Sequence, residues 1–398
     1  MRILYLGPDC TDVAVARRMS GFRHAGVDAV AATFRRKRYS ADFNPFWEHI
    51  DLGELQDRAY GARLLALGRT IKILLGRDRE IADVDCYWAR NLDMLLVARL
   101  LTFARRRRLP IVYEVLDLQD SHLSQSVAGK TMRWLERRLL KGVSLLVVSS
   151  PAYVREYFRK VQHSDVAAHV LENKVVFGSL PRRPQSVESA EGAASPRVWT
   201  IGWFGTLRCR DSLATLCSLA DRLGDRVKIV LRGKPMRFGM AELLHAVDAR
   251  QNVEYLGEYR APDELGEIYG SVDLNWCVDH SDRAGNSKWL MPNRFYEGGY
   301  FGVPAIGETG AQVGETVARK GIGWVFEDLD DLARLLGEMT ESDYAAVRNR
   351  LLEVEPTEFC ESDGDGTKAA VDSLLATMAD PGVDERSYAA PCGQVDAG

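Results

Sequence analysis

Pro292-Asn293-Arg294-Phe295-Tyr296-Glu297-Gly298-Gly299-Tyr300-Phe301-Gly302-Val303-Pro304-Ala305-Ile306 reads as a proline-led helix, a glycine stop and an apolar strand. Arg294 and Glu297 stand one turn apart and so share a helix face. A carboxylate on such a face accepts hydrogen bonds from a ribose diol, and an arginine meets phosphate. Upstream, Gly202-Trp203-Phe204-Gly205-Thr206-Leu207-Arg208-Cys209-Arg210-Asp211 is a strand, a glycine turn, two arginines and a helix start. Gly205 lets backbone approach a ligand closely. The helix N-terminus that follows offers N–H groups and a positive dipole end to a diphosphate. Arg208 and Arg210 supply countercharge. An ordinary glycine turn and a surface ion pair explain the same residues, so both alternatives stay open on these stretches alone.

Outward from them the chain alternates apolar runs with helical periodicity. Strands are predicted at 2–6, 29–33, 85–88, 110–115, 144–148 and 169–171, with helices at 12–25, 57–75, 93–107, 130–140 and 152–160. A Pro-, Ser- and Glu-rich stretch interrupts the pattern, which then restarts with strands at 198–204, 227–231, 253–256, 274–277, 304–306 and 324–326. Alternation of this kind gives parallel sheets wrapped by helices. The expected division is a first Rossmann-like domain over 1–180, a linker over 181–197 and a second Rossmann-like domain over 198–355. A C-terminal helix over 356–380 is expected to cross back to the first domain, followed by a disordered tail over 381–398. Ligands of open α/β sheets bind at the carboxyl ends of the strands.

The pattern of Pro, one residue, a basic residue, two residues, Glu, then Gly-x-Pro before an apolar strand resembles the donor-site segment of GT-B glycosyltransferases of family 4. Phe204-Gly205-Thr206-Leu207-Arg208 is similar to that family's glycine turn at the donor phosphates, and Gly310 and Glu315 to its Gly-Gly-x-x-Glu. Leu171-Glu172-Asn173-Lys174-Val175 resembles the Pro-Asn-x-Val that closes the first domain. Gly285-Asn286-Ser287-Lys288-Trp289 is similar to bacterial exopolysaccharide glycosyltransferases of the succinoglycan-assembly kind. The resemblance implies a GT-B fold, two Rossmann-like domains facing across a cleft, and transfer of a hexose from a nucleotide diphosphate sugar with retention and without a metal or other cofactor. It places Glu297 on the donor ribose. The donor set is then Gly205, Thr206, Arg210, Arg232, Asn293, Glu297 and Gly310, with Asp117, Arg208, Lys288 and Arg294 at the chemistry, and Thr11 and Glu114 on the acceptor side.

Three positions depart from the family. The glutamate it often carries eight residues before the ribose one is Trp289 here, leaving Lys288 and Asn286 as candidates for its role. The arginine–lysine pair at the phosphates is spaced differently, and Arg208, Arg210, Arg232 and Lys288 compete for it. Leu116 stands where a histidine precedes the cleft aspartate. A nucleotide-sugar epimerase of the same fold and a binding module without activity remain alternatives.

Other motifs carry less. Asp83-Val84-Asp85 matches a metal-binding Asp-x-Asp but enters a strand with no supporting residues. Seven cysteines, odd in number and without CxxC spacing, exclude a zinc cluster and a disulfide framework. No run of about 18 uncharged apolar residues is present, and Met1–Cys10 reads as a strand rather than a leader, so a cytoplasmic protein is expected. Residues 1–180 carry 29 Lys+Arg against 20 Asp+Glu, a net of +9, which leaves −13 on the other 218 of a chain at −4. The basic half is expected to meet an anion, either a lipid-diphosphate saccharide acceptor or an anionic membrane surface at the inner face. No nucleic-acid signature accompanies the charge. Residues 56–77 place leucines and arginines on the flanks of one helix, as on an interfacial membrane helix or a helix packed on its own sheet.

Overall fold

The computed structural model describes residues 1–35, 44–54, 60–118, 120–176, 180–184, 197–281, 285–362 and 364–379. The expected tail over 381–398, the basic residues Arg36, Lys37 and Arg38, and all but the ends of the 181–197 stretch lie outside them. The chain divides into two compact units, one of Met1–Leu116, Ser126–Leu171 and the segment from Gly364, the other of Asp117–Gln125 and Glu172–Asp363.

The first unit holds β1 (Arg2–Gly7), β2 (Asp28–Arg35), β3 (Glu48–Glu54), β4 (Cys86–Arg90), β5 (Ile111–Val115), β6 (Leu145–Val148) and β7 (Ala168–Val170). Among the described residues they form one parallel sheet in the order β3-β2-β1-β4-β5-β6-β7. Strands β4, β5 and β6 are buried throughout because helices cover both faces. The edge strand β3, Glu48-His49-Ile50-Asp51-Leu52-Gly53-Glu54, alternates polar and apolar residues and escapes a search for apolar runs. Around the sheet lie α1 (Val13–His24), α2 (Tyr60–Gly76), α3 (Leu92–Ala104) and α5 (Val127–Leu140), whereas the short α4 (Asp120–Leu123) belongs to the second unit. The periodic stretch after β6 winds as a π-helix over Tyr153–Arg159. Helix α2 packs against α3 and β3 and buries Thr70 and Leu74 completely. Its described inward face therefore serves its own unit.

The second unit holds the short β8 (Val175–Val176), then β9 (Trp199–Leu207), β10 (Val227–Pro235), β11 (Val253–Tyr255), β12 (Leu274–Trp276), β13 (Ala305–Glu308) and β14 (Gly323–Phe326). The sheet runs β11-β10-β9-β12-β13-β14, all parallel, and β8 pairs separately with β15 (Cys360–Glu361). Its helices are α6 (Arg210–Leu223), α7 (Met240–Asp248), α8 (Leu265–Gly270), α9 (Asn286–Trp289), α10 (Asn293–Tyr300), α11 (Gln312–Lys320), α12 (Leu329–Glu338) and α13 (Glu341–Glu353). The start of the expected linker is not loose: Arg183 donates to the carbonyls of Tyr300 at 3.0 Å, Val354 at 2.7 Å and Leu351 at 2.9 Å.

The last helix, α14 (Asp365–Ala379), packs on α1 of the first unit. A side chain at Gly21 would collide with Thr367, so the two helices approach closely there. Arg18 binds this junction to the sheet. It donates to Thr367 Oγ1 at 2.8 Å and, through Nε and Nη2, to Glu114 Oε1 at 3.0 and 2.7 Å. The other Glu114 oxygen accepts from Trp88 Nε1 at 3.0 Å. Glu114 is 1% exposed, so it orders the interior of the first unit, and an acceptor would have to displace Arg18 or Trp88 to touch it. A second buried carboxylate, Glu136, accepts from Tyr113, Tyr157 and Gln162.

Breaking a buried pair leaves a desolvated charge without a partner, which costs about 3–5 kcal/mol. Glu114→Gln is expected to lower the urea unfolding free energy by roughly that amount while nucleotide affinity stays unchanged. Full stability in the variant would show that the Arg18 contact does not hold the unit together.

Candidate functional site

In the second unit the strand order reverses between β9 and β12, and the chemistry-bearing residues gather at the carboxyl ends of those strands. Gly205 near the end of β9 has φ +103°, and Gly233, its register partner on β10, has φ +130°. Neither value suits a side chain. A Cβ at Gly233 would also strike the Gly205 carbonyl, whereas one at Gly205 would meet only Tyr259 Oη, at 3.8 Å. The strand ends thus form a low floor beside Tyr259.

Arg208 follows β9, and Asp279 follows β12. Arg208 Nε donates to Asp279 Oδ2 at 2.9 Å, which bridges the reversal point. The Asp279 side chain is only 6% exposed. Burial alone would raise its pKa, but the charges of Arg208 and Arg294 and hydrogen bonds from Ser281 hold it down to about 2. Cys209 caps α6, its Sγ accepting from Ser212 N at 3.2 Å, so the arginine is fixed at the mouth of that helix.

Helix α10 presents the other arginine and the glutamate. It lies tight against β12 because Gly298 leaves room for Asn275, whose Nδ2 donates to the Arg294 carbonyl at 2.6 Å. Arg294 folds onto the end of β12 and donates to the carbonyls of Trp276 at 2.7 Å and Val278 at 2.9 Å. Glu297 accepts from Tyr269 Oη at 2.8 Å. The Tyr259 hydroxyl feels the whole group: burial raises its pKa, Glu297 raises it further, and Arg294 and Arg232 lower it. Arg232 lies 6.0 Å over the Tyr259 ring and bonds Glu264 Oε2 and the Glu258 carbonyl, both at 3.2 Å. Arg208, Arg232, Arg294, Glu297 and Gly205 therefore come together around Tyr259 and Asp279.

Other predicted residues are placed at the margins. Asn293 Oδ1 accepts from Asn173 Nδ2 at 2.7 Å, and Tyr296 donates to Glu172 at 3.0 Å, so the segment after β7 docks on α10. Arg210 is turned to the surface, where both oxygens of Glu242 take it at 2.9 and 3.0 Å. Thr206, Lys288 and Gly310 are exposed, the last in the turn before α11. Asn286 is not left to meet a sugar on its own: its Nδ2 donates to Asp117 Oδ1 at 2.5 Å and its Oδ1 accepts from Leu118 N at 3.2 Å. Those bonds bring Asp117 into the second unit. Thr11 stays in the first unit with its backbone N and its hydroxyl on Asp9, at 2.9 and 2.8 Å.

Sequence reading passed over Asp279, Tyr259 and Tyr269, and quoted Asn173 only as part of the segment that closes the first domain. Asp279 has a signal, an acidic residue just beyond a short apolar strand, but it gains meaning only when β12 is known to neighbour β9. Asp83 and Asp85 both bind Arg2, through its side chain at 3.0 Å and its backbone N at 2.8 Å. Among the described residues no group of three or more His, Cys, Asp or Glu is arranged to hold a metal.

The chain is 35% identical over 360 residues to the succinoglycan biosynthesis protein ExoL of Rhizobium meliloti (strain 1021), covering 89% of both. No family model matches it. The Anabaena protein HepE, solved with UDP and glucose, superimposes with a TM-score of 0.67 at 14% identity over 96% of this chain and all of that one. Sucrose-phosphate synthase from Thermosynechococcus elongatus gives 0.65 at 14% identity over 96% of this chain and 97% of that one. WaaG, of lipopolysaccharide biosynthesis, gives 0.60 at 12% identity over 92% and 98%. The fold is that of the GT-B enzymes.

Asp279 has a folded pKa below its unfolded value of about 3.9, so its contribution to stability is present above pH 4 or so and is lost as pH falls toward about 2. Arg208→Ala is expected to raise that pKa and to move acid unfolding to higher pH. A carboxyl-carbon NMR titration with an Asp279 shift identical in both proteins would dissolve the pair as the cause.

Proposed function

The chain belongs to the family of the succinoglycan biosynthesis protein ExoL, GT-B glycosyltransferases of exopolysaccharide or glycan biosynthesis, and from that membership we propose that it moves a hexose from a nucleotide diphosphate sugar to a saccharide or lipid-diphosphate saccharide. The observation that carries the proposal is the meeting of Arg208, Arg294 and Glu297 at the strand reversal of the second unit.

In this reading the donor ribose hydrogen-bonds Glu297, whose carboxylate Tyr269 fixes in place. The diphosphate lies over the Gly205 floor. Arg208 and Arg294 share one carboxylate, Asp279, so the trio keeps one net positive charge. That charge and the N-terminus of α6 offset the negative charge that builds on the leaving diphosphate. No metal is needed for this, and the sugar is transferred with retention. Asp117, held by Asn286, and the exposed Lys288 are the candidates for contact with the sugar. Thr11, beside Asp9 in the first unit, stays the acceptor-side candidate.

Calorimetric titration with UDP, GDP, ADP and their sugars identifies the base, starting with UDP because HepE was solved with it. Glu297→Gln keeps the shape but loses charge-assisted hydrogen bonds of roughly 1.5–3 kcal/mol, so nucleotide affinity is expected to fall more than tenfold with an unchanged unfolding midpoint. Unchanged affinity would remove the ribose from Glu297.

Sugar transfer is expected to survive excess EDTA at full rate. A chelator-sensitive loss would return charge neutralisation to a bound cation. Release of nucleotide with an altered free sugar and no acceptor product would identify an epimerase instead.

A further inference from the structure

The first unit carries a basic and aromatic face that the donor site does not use. Helices α3 and α5 pack side by side. Phe103 near the end of α3 is 85% exposed, and Trp134 on α5 is 54% exposed with Arg138 over its ring at 5.4 Å. A hollow of about 910 Å³ is lined by Arg99, Phe103, Arg106 and Arg108 and by Gly142, just past the end of α5. Lys130 and Arg138 are exposed along α5 itself, and Lys141 at its C-cap.

Arginines at a helix C-terminus have a local use, since they offset the negative end of the dipole. Arg105 and Arg107 have another local use, holding the segment between α2 and β4. Arg105 pairs with Asp78 at 3.0 Å and bonds the Ile81 carbonyl, and Arg107 bonds the Ala82 carbonyl. Among the described residues no carboxylate pairs with Arg99, Arg106 or Arg108. Residues 94–113 contain no acidic side chain, and the only one on α5, Glu136, is fully buried. Neither local use accounts for a phenylalanine and a tryptophan held in water.

We infer that this face docks the protein on an anionic lipid bilayer, its rings entering the interface and its arginines meeting lipid phosphates. Exposed rings among cations match the headgroup boundary, where aromatic side chains settle and basic ones are attracted to acidic lipid. The described part of α2 turns its buried residues to its own sheet, so the docking face lies on α3 and α5 instead. No described helix is long and apolar enough to cross a membrane. The inference deepens the lipid-linked acceptor proposed above by giving it a surface on which to arrive.

The full chain is floated with vesicles of phosphatidylcholine alone and with phosphatidylglycerol added. Binding is expected only with the anionic lipid and is expected to fade as salt rises, because attraction is screened beyond about 8 Å at physiological ionic strength. Paired Arg106→Glu and Arg108→Glu substitutions are expected to lower partitioning at least about tenfold. Phe103→Ser with Trp134→Ser is expected to weaken it as well, and Lys72→Glu on α2 is expected to leave most of it. Unchanged urea midpoints and nucleotide affinity show that the variants are folded. Equal binding to both vesicles, binding to neither, or binding indifferent to the arginine and aromatic changes overturns the inference. So does tighter retention on single-stranded DNA with the same sensitivities, which assigns the face to nucleic acid. Loss of nucleotide binding in the parent chain would instead strike the donor site and leave the vesicle result standing.

Discussion

The reversal of strand order in each sheet is the constraint on which the arrangement depends. In a parallel sheet with right-handed crossovers, chain leaves every strand at the same edge. Where the order reverses, the connections run to opposite faces and leave the strand ends open between them. In the second unit Arg208 and Asp279 occupy the two positions beside that opening. In the first unit the same geometry puts Asp12 after β1 and Arg90 at the end of β4, 3.3 Å apart. The signs are exchanged. Arg90 is nearly buried, whereas Arg208 keeps a third of its side chain in solvent with Arg294 close behind it. Only the second arrangement leaves a cationic surplus at the opening, which suits a diphosphate.

Close packing turns that edge into a site. Gly298 lets α10 settle on Asn275, and Gly299 does the same against Phe359. The helix is thereby fixed in height above β12, which fixes Arg294 on the carbonyls beyond the strand and Glu297 on Tyr269. A helix one side chain farther out would carry both groups away from the strand ends. The glycines after Glu297 thus set where that carboxylate stands, which is a reason for their place inside the helix that helix propensity does not supply.

What the sequence made legible follows from range. Buried strands such as Ile3–Leu6 and Tyr87–Ala89 announce themselves by apolar runs, and Arg294 and Glu297 by helical spacing, because these are local signals. The edge strand Glu48–Glu54 was silent because half of it faces water. Asp279 and Tyr259 were missed for another reason: each acquires its partner from a distant segment, and register across 71 residues, as for Arg208 and Asp279, leaves no periodic trace. Arg210 shows the converse error. Two residues from Arg208 and identical in chemistry, it begins α6 and is carried out to Glu242.

The charge asymmetry between the two halves shows the same limit in another form. By net charge the acidic half is the poorer place for an anionic donor, yet the strand ends there collect Arg208, Arg232 and Arg294 around one site. The carboxylates that make this half acidic stand elsewhere, many on outer helices and already paired, as Glu242 with Arg210, Asp330 with Arg222 and Glu341 with Arg197. Screening over about 8 Å makes such paired outer charges nearly invisible to a ligand at the sheet edge. The basic half has its surplus on helix surfaces, where Glu114 and Glu136 are too deeply buried to offset it. Net charge per domain therefore says how a surface attracts, and the ends of the strands decide what a site binds.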